Sequence, residues 1–343
     1  MEETGRHATQ RNGWAWCALA AVLFGAATPA TKLVVDHVGA VTLAGLLYLG
    51  AAVAAAPFAF REQRSTASLR QRSRLLIAVA FGGGVAPVLL VLALDRTPAG
   101  TVSLFLNLEL VATAVIARVF LQEHIGRRAG LGIVIVVLGG VILAGTSDAG
   151  VAVGAVLVAV TCVCWGIDNA ITASLDSYTP SQITLAKGVV AGSVNLALGL
   201  ILAGSPAARF VVAALAIGAL GYGLSITMWI TGARLVGAAR GQVIFALAPF
   251  IGALLAWPVN GDRITSTTVV AFTVSLVGVI VVATSHHGHS HRHEHMEHAH
   301  PIDQSDPHHR SEAIEVLSGT QHRHLSIRHE HEHLPDIHHR HTH

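Results

Sequence analysis

Residues 97–125, TPAGTVSLFLNLELVATAVIARVFLQEHI, decide how this chain is built. The stretch reads as a membrane helix that opens on Pro98 and Gly100, carries Glu109 halfway along, and stops at the polar group Gln122-Glu123-His124. A shift of 139 positions brings up a faint copy at 236–264, VGAARGQVIFALAPFIGALLAWPVNGDRI. Ala99 falls on Ala238, Leu108 on Leu247, Ala114 on Ala253, Ala117 on Ala256 and Ile125 on Ile264. Acidic Glu123 falls on acidic Asp262, so the turn-like start and the acidic stop coincide as well as the identities. The chain therefore reads as two related halves, and a twofold-repeated membrane protein points to transport.

Composition supports the membrane reading. Of 343 residues, 52% are hydrophobic, 12% charged and 5% aromatic, with a mean hydropathy of +0.58. A soluble domain carries about 25% charged residues, twice as many. Charge is unevenly placed. Residues 1–285 hold 17 Lys+Arg against 11 Asp+Glu (17 − 11 = +6), and 286–343 hold 5 against 9 (5 − 9 = −4) together with 19 of the 22 histidines. Neither part has the dense basic face that nucleic-acid binding needs. Cys17, Cys162 and Cys164 lie in apolar runs, an odd set that gives no disulfide framework and reads as helix packing. The first apolar run holds Thr28, Pro29 and Lys32 and lacks a cleavage site, so it is expected to be an uncleaved span.

Outward from residues 97–125, apolar runs near the roughly 20 residues needed to cross hydrocarbon recur along the chain. The first half gives Trp14–Val35, Val38–Phe60, Leu75–Leu94, Pro98–Leu121 and Ala129–Thr146. The second gives Val151–Ala173, Gln182–Ala203, Phe210–Gly232, Gly241–Val259 and Thr267–Thr284. The expected fold is an all-α membrane protein of ten transmembrane helices in two inverted five-helix repeats, with a disordered His-rich tail. The domains are 1–13, 14–146, 150–284 and 285–343. Strands are excluded, because an open strand cannot satisfy its backbone in lipid and these runs are too uniformly apolar for a barrel.

One side of the membrane receives 12 basic residues: Arg6, Arg11, Arg61, Arg64, Arg70, Arg72, Arg74, Arg118, Arg127, Arg128, Arg234 and Arg240. The other receives Lys32, Arg96, Arg209 and Arg263. The positive-inside rule places both termini in the cytoplasm of an inner (plasma) membrane protein. Five spans per half is an odd number, so the halves enter with opposite orientation. Gly82-Gly83-Gly84 with Pro87, Gly139-Gly140, Gly218, Gly221, Gly223 and Gly252 are suited to close helix approach, and Gly82–Pro87 also to a loosened helix beside a cavity.

Ionisable groups inside spans are costly unless paired or wet, which makes them functional candidates. Glu109 lies midway along the fourth span. Asp168 and Asn169 lie in the patch Trp165-Gly166-Ile167-Asp168-Asn169, and Lys187 lies in the seventh span. They are expected to line a central cavity, with Glu109 or Asp168 binding a proton or cation and Lys187 pairing with one of them. A structural Asp168–Lys187 pair or a snorkelling Lys187 is the alternative. Asn107, Asn195 and Gln242 suit hydrogen bonds between helices, and Trp16, Trp165, Trp229 and Trp257 suit interface anchoring or packing.

The segments FGAATPATK (24–32), ALDRTPAGTVSLFLNLELVATAVIARVFLQEHI (93–125), CWGIDNAITASL (164–175) and ALAPFIGALLA (246–256) resemble the EamA family of the drug/metabolite transporter superfamily. The likeness spans about residues 14–284. It implies ten helices in two repeats and carrier-type transport of a small solute. Two positions depart from the family pattern: Leu110 follows Glu109 where Pro is usual, and Gln122 precedes Glu123 where Gly is usual. The family handles amino acids, nucleotide precursors and drugs, so the resemblance names no cargo.

From His286 the text changes to HHGHSHRHEHMEHAHP (286–301) and later HRHLSIRHEHEHLPDIHHRHTH (322–343). His-x-His pairs recur at His289/His291, His293/His295, His298/His300, His329/His331, His331/His333 and His341/His343. Imidazole suits nickel, cobalt, zinc and copper, and Glu294, Glu297, Glu330 and Glu332 offer oxygen. With almost no apolar periodicity, the tail is expected to be unstructured without metal. A pH-responsive charge brush is the competing reading. No histidine falls inside a span, since His37 and His124 sit at loop edges, so the body lacks a soft-metal path.

The sequence thus points to a secondary carrier that requires no cofactor. The rivals are a Ni/Co/Zn transporter and a membrane-anchored metal buffer or sensor. An intramembrane enzyme is disfavoured, as no paired catalytic groups share a depth, and no GxxxxGK[ST] loop exists for ATP. The expected partners are the bilayer, a small-molecule substrate and, through the tail, a divalent metal. A homodimer is admissible and nucleic acid is not.

Overall fold

The computed structural model describes residues 2–62, 67–120, 125–145, 149–172, 174–175, 177–236 and 238–284, and tail segments 288–292, 296–299, 314–318, 321–324 and 328–332. Side chains are described from residue 12 to 284, apart from 234, 238–240, 242 and the gaps between those ranges. Gln242 and the tail histidines therefore lie outside the described side chains.

Among the described residues, ten helical spans are long and apolar enough to cross a membrane. The first half comprises α1 (Glu2–Val35), α2 (Ala40–Ala59), α3 (Leu69–Ala78), a π-helical segment Val79–Val85, α4 (Ala86–Arg96), α5 (Ala99–Phe105), α6 (Leu108–Phe120) and α7 (Arg127–Ala144). The second comprises α8 (Ala149–Thr172), α9 (Pro180–Ala203), α10 (Ala208–Ile217), a π-helical segment Gly218–Leu224, α11 (Ser225–Val236), α12 (Ala238–Phe245), α13 (Ala248–Asn260) and α14 (Ser266–Ala283). The third span runs Leu69–Arg96, longer than hydropathy indicated, because the Arg-rich start of α3 continues the helix below the apolar run.

The repeat is visible in the irregularities. The two π-helical segments start 139 residues apart (218 − 79 = 139), the offset read from residues 97–125. The fourth and ninth spans are not the continuous helices expected. Each is divided near its middle, at Leu106-Asn107 and at Ala246-Leu247. At the first break the bonding tightens: Leu106 N–H donates to Ser103 at 3.2 Å, Asn107 to Leu104 at 3.2 Å and Glu109 to Leu106 at 3.0 Å. Asn107 also donates its side-chain amide to Leu104 O at 2.9 Å, so among the described residues it serves its own helix turn. The second break has an evident cause: Pro249 opens α13 and has no N–H to continue the ladder. Leu110 stands at the matching position of the first half (110 + 139 = 249), and the break occurs there without proline.

Packing explains why small residues are so frequent. α2 lies against α9 through Gly45, Gly188, Gly192 and Gly199, with backbone meeting backbone. A Cβ at Gly188 would run into the Tyr48 carbonyl. α7 and α14 pair the same way through Gly132, Gly139 and Gly278. Lipid tails are as apolar as leucine, so such contact, rather than hydrophobic burial, holds membrane helices together. The halves also interlock. α1 packs on α11 and α13 of the second half, while α8 packs on α4 and α6 of the first. One buried cluster joins Leu94, Phe105, Val158, Trp165, Phe250 and Ala253, and another joins Leu43, Leu47, Val91 and Ala214. Cys17, Cys162 and Cys164 are free and buried.

Residues 284–343 separate as a second compact unit. Its described segments are five short strands, β1 (Gly288–Arg292), β2 (Met296–Ala299), β3 (Ile314–Ser318), β4 (Gln321–His324) and β5 (Arg328–Glu332). β1 pairs antiparallel with β5, and β4 lies between β2 and β3. Low apolar content argued for no regular structure. Alternation of His with Glu, Arg or Ser nevertheless has the two-residue period that a strand accommodates.

Candidate transport site

The site is organised by the first π-helical segment. Widening the helix there takes carbonyls out of the regular ladder, and side chains from three neighbouring helices take them up. Tyr48 of α2 donates its hydroxyl to Gly82 O at 2.5 Å, and Trp165 of α8 donates Nε1 to the same oxygen at 3.2 Å. Asn195 of α9 donates Nδ2 to Gly84 O at 3.1 Å and to Gly83 O at 3.4 Å. Asn195 thus bridges helices as expected, whereas Trp165 is a buried bridging donor.

Gly82 has no Cβ, and the Asp168 carboxylate lies directly against it. A Cβ there would collide with Asp168 Oδ2. Lys187 of α9 places Nζ 2.6 Å from the Asp168 carboxylate, and Thr172, one turn along α8, donates to Asp168 Oδ1 at 3.1 Å. Asp168 is buried, at 6% exposure, and Lys187 reaches inward to it instead of snorkelling to an interface.

Glu109 lies in the first turn of α6, just past the break, where the helix dipole favours an anion. It pairs with α8: Asn169 donates Nδ2 to Glu109 Oε1 at 3.0 Å and approaches Thr113 Oγ1 at 3.4 Å. Consecutive residues of α8 therefore serve both carboxylates, Asp168 within the ion pair and Asn169 toward Glu109. All four residues singled out from sequence, Glu109, Asp168, Asn169 and Lys187, are brought together at one level of the bundle. With the three charged groups ionised, the cluster carries one net negative charge. Among the described side chains, no group of three or more His, Cys, Asp or Glu is arranged to hold a metal.

Tyr48, Thr113, Trp165 and Thr172 were not singled out as site residues. One signal marks Tyr48: it is the repeat counterpart of Lys187 (48 + 139 = 187). Tyr48 also adjoins an aromatic series, Tyr222 at 6.0 Å between ring centroids, then Phe24 at 5.7 Å from Tyr222 and Phe245 at 5.1 Å from Phe24. Tyr48 is where the charged and aromatic residues meet.

The model of the EamA-like transporter family matches residues 11–145 and again 152–284, once over each half. The chain belongs to the EamA-like transporter family. It is a multi-pass membrane transporter of the drug/metabolite type, and members of the family are transporters rather than enzymes. No curated protein matches the chain. A solved crystal structure of a protein aligns with TM-score 0.59 at 15% identity, over 81% of this chain and 98% of its own, a likeness of fold. In this EamA-like transporter the polar cluster sits at the broken fourth span, where discontinuous helices of repeat-built transporters expose polar groups at mid-membrane.

Proposed function

We propose that the protein is a secondary carrier of a small polar solute, with Glu109, Asp168, Asn169 and Lys187 forming its substrate and coupling-ion site. The observation that carries this is Glu109 beside a broken span and one hydrogen bond from Asn169, next to the buried Asp168–Lys187 pair. The Asp168–Lys187 pair is internally neutral, which leaves Glu109 as the group whose charge a proton or a cationic moiety balances. The basic excess in the loops at the Ser174 end sets that end in the cytoplasm of the inner membrane, with both termini on that side. Glu109→Gln keeps shape and a hydrogen-bond acceptor but removes the charge. It is expected to reduce uptake or efflux in proteoliposomes to background while membrane insertion and thermal stability hold. Full transport by Glu109→Gln excludes Glu109 from the site. No enzymatic step enters this reading.

A second reading concerns the tail, and the strand register favours it. In β1 and β5, His289 stands opposite His331 and His291 opposite His329. Two opposed register positions thus bring four histidines of the sequence together, and imidazole suits nickel, cobalt and zinc. We assign Ni, Co or Zn binding to the tail, beginning with these four and extending by composition to His293, His295, His298, His300, His333, His341 and His343. The expected result is that cells expressing the full chain differ in nickel, cobalt or zinc content from cells expressing a chain ending at Ser285. Equal metal content in both, and in cells without the gene, removes transition metal from the tail's role.

A further inference from the structure

The two ends of the helical body are built differently. At the end carrying Thr97, the broken spans meet: α5 packs on α13, from the opposite half. Gly25 of α1 and Gly252 of α13 touch backbone to backbone there, with the buried Ser103 hydroxyl beside Gly252. Asn260 donates Nδ2 to Pro29 O at 3.1 Å, and Lys32 donates Nζ to Leu94 O at 2.5 Å. At the other end, among the described residues, α6 packs chiefly on α8 and α7, and α12 on α11 and α1. The two helices that close on each other at the Thr97 end have continuations that keep to their own neighbours.

One contact ties the closed end across the repeats. Pro98 precedes α5 and makes no side-chain cap, so the first amides of α5 lack an internal partner. Asp262, from the loop after α13, supplies one: its Oδ2 accepts from Gly100 N–H at 2.7 Å. Gly261 ends α13 in the left-handed conformation, φ 69°, which turns the chain so that Asp262 follows back toward α5. An acidic group of one half thus caps the half-helix of the other, by a charge-assisted bond of the stronger kind.

We propose that the Thr97 end is the closed gate of the carrier and that Asp262 is its latch, whose bond to Gly100 N–H must break for that end to open. The proposal rests on the carrier reading, but its test does not require knowing the solute. In a background with Cys17, Cys162 and Cys164 replaced by alanine, Ser103→Cys places one thiol inside the gate. A membrane-impermeant maleimide is then applied from the Thr97 side of oriented vesicles. Adding Asp262→Ala is expected to speed labelling by roughly tenfold or more, the factor set by an ordinary charge-assisted hydrogen bond. Asp262→Asn, which keeps size and is the safer variant for folding, is expected to give a smaller increase in the same direction. Arg263→Ala, the exposed neighbour, is expected to leave the rate unchanged. Equal labelling in all variants overturns the latch, as does an equal increase from Arg263→Ala, which would mean general loosening of the loop. Faster labelling by Asp262→Ala in a protein that moves no solute retains the latch and removes the carrier reading.

Discussion

Lys187→Met, with Asp168 left in place, is expected to destabilise the protein by about 3–5 kcal/mol, because it strands a buried carboxylate without its counter-charge. Asp168 is 6% exposed, and after the substitution it retains the Thr172 hydroxyl as its described side-chain donor. The informative comparison is the double variant Asp168→Asn/Lys187→Met, which removes both charges. Its stability should return to within about 1–2 kcal/mol of the unsubstituted protein, since replacing a whole buried pair costs far less than breaking it. Thermal unfolding of the purified protein in detergent measures all four corners of this cycle. Transport separates the two roles of the pair. A binding site stays inactive in the stable double variant, whereas a purely architectural pair recovers transport along with stability.

Gly82→Ala adds one carbon atom and is expected to abolish transport with a loss of about 1–3 kcal/mol of stability, the usual penalty for overpacking. The added Cβ would occupy the place of the Asp168 carboxylate. The flexible end of Asp168 can move away, so the fold survives, but the 2.6 Å contact with Lys187 does not. Gly130→Ala is the matched control: nothing lies within 4 Å of a Cβ there, and no effect on transport is expected. If both alanines behave alike, the approach of Asp168 to the π-helical segment has no bearing on function.

Much of the fold was open to reading from the sequence, because spans announce themselves by length and hydropathy and need no tertiary information. The 139-residue offset found at 97–125 returned in the π-helical segments, which hydropathy does not mark. The break at Ala246-Leu247 had a local sign in Pro249. The break at Leu106-Asn107 had none, since Leu110 there favours a continuous helix and tertiary packing prevails. The charged residues stood out as misfits in apolar text, so Glu109, Asp168 and Lys187 were found one at a time. The Asp168–Lys187 pair stood there as one of several readings, with nothing in the sequence to choose it over Glu109–Lys187 or a snorkelling Lys187. The Asp168–Lys187 contact depends on Gly82 from a distant span, and glycine in a Gly-rich membrane sequence carries no mark of what approaches it. Tyr48 had only its repeat offset to Lys187 to mark it: a tyrosine in an apolar run looks like packing until a freed carbonyl is found opposite its hydroxyl.

The interlocked packing of the halves has a consequence for how the protein is made. α1 leaves the ribosome some 190 residues or more ahead of its packing partners α11 (Ser225–Val236) and α13 (Ala248–Asn260), since 225 − 35 = 190. It must wait in the bilayer with its small-residue face uncovered while most of the chain is inserted. The first repeat cannot mature as an autonomous unit, and neither can the second, whose α8 finds its seat on α4 and α6. Separately synthesised halves should accordingly be degraded when made alone and accumulate when made together. Quality control of this protein is therefore a check on the finished chain, and a ribosome that stops early leaves nothing worth keeping.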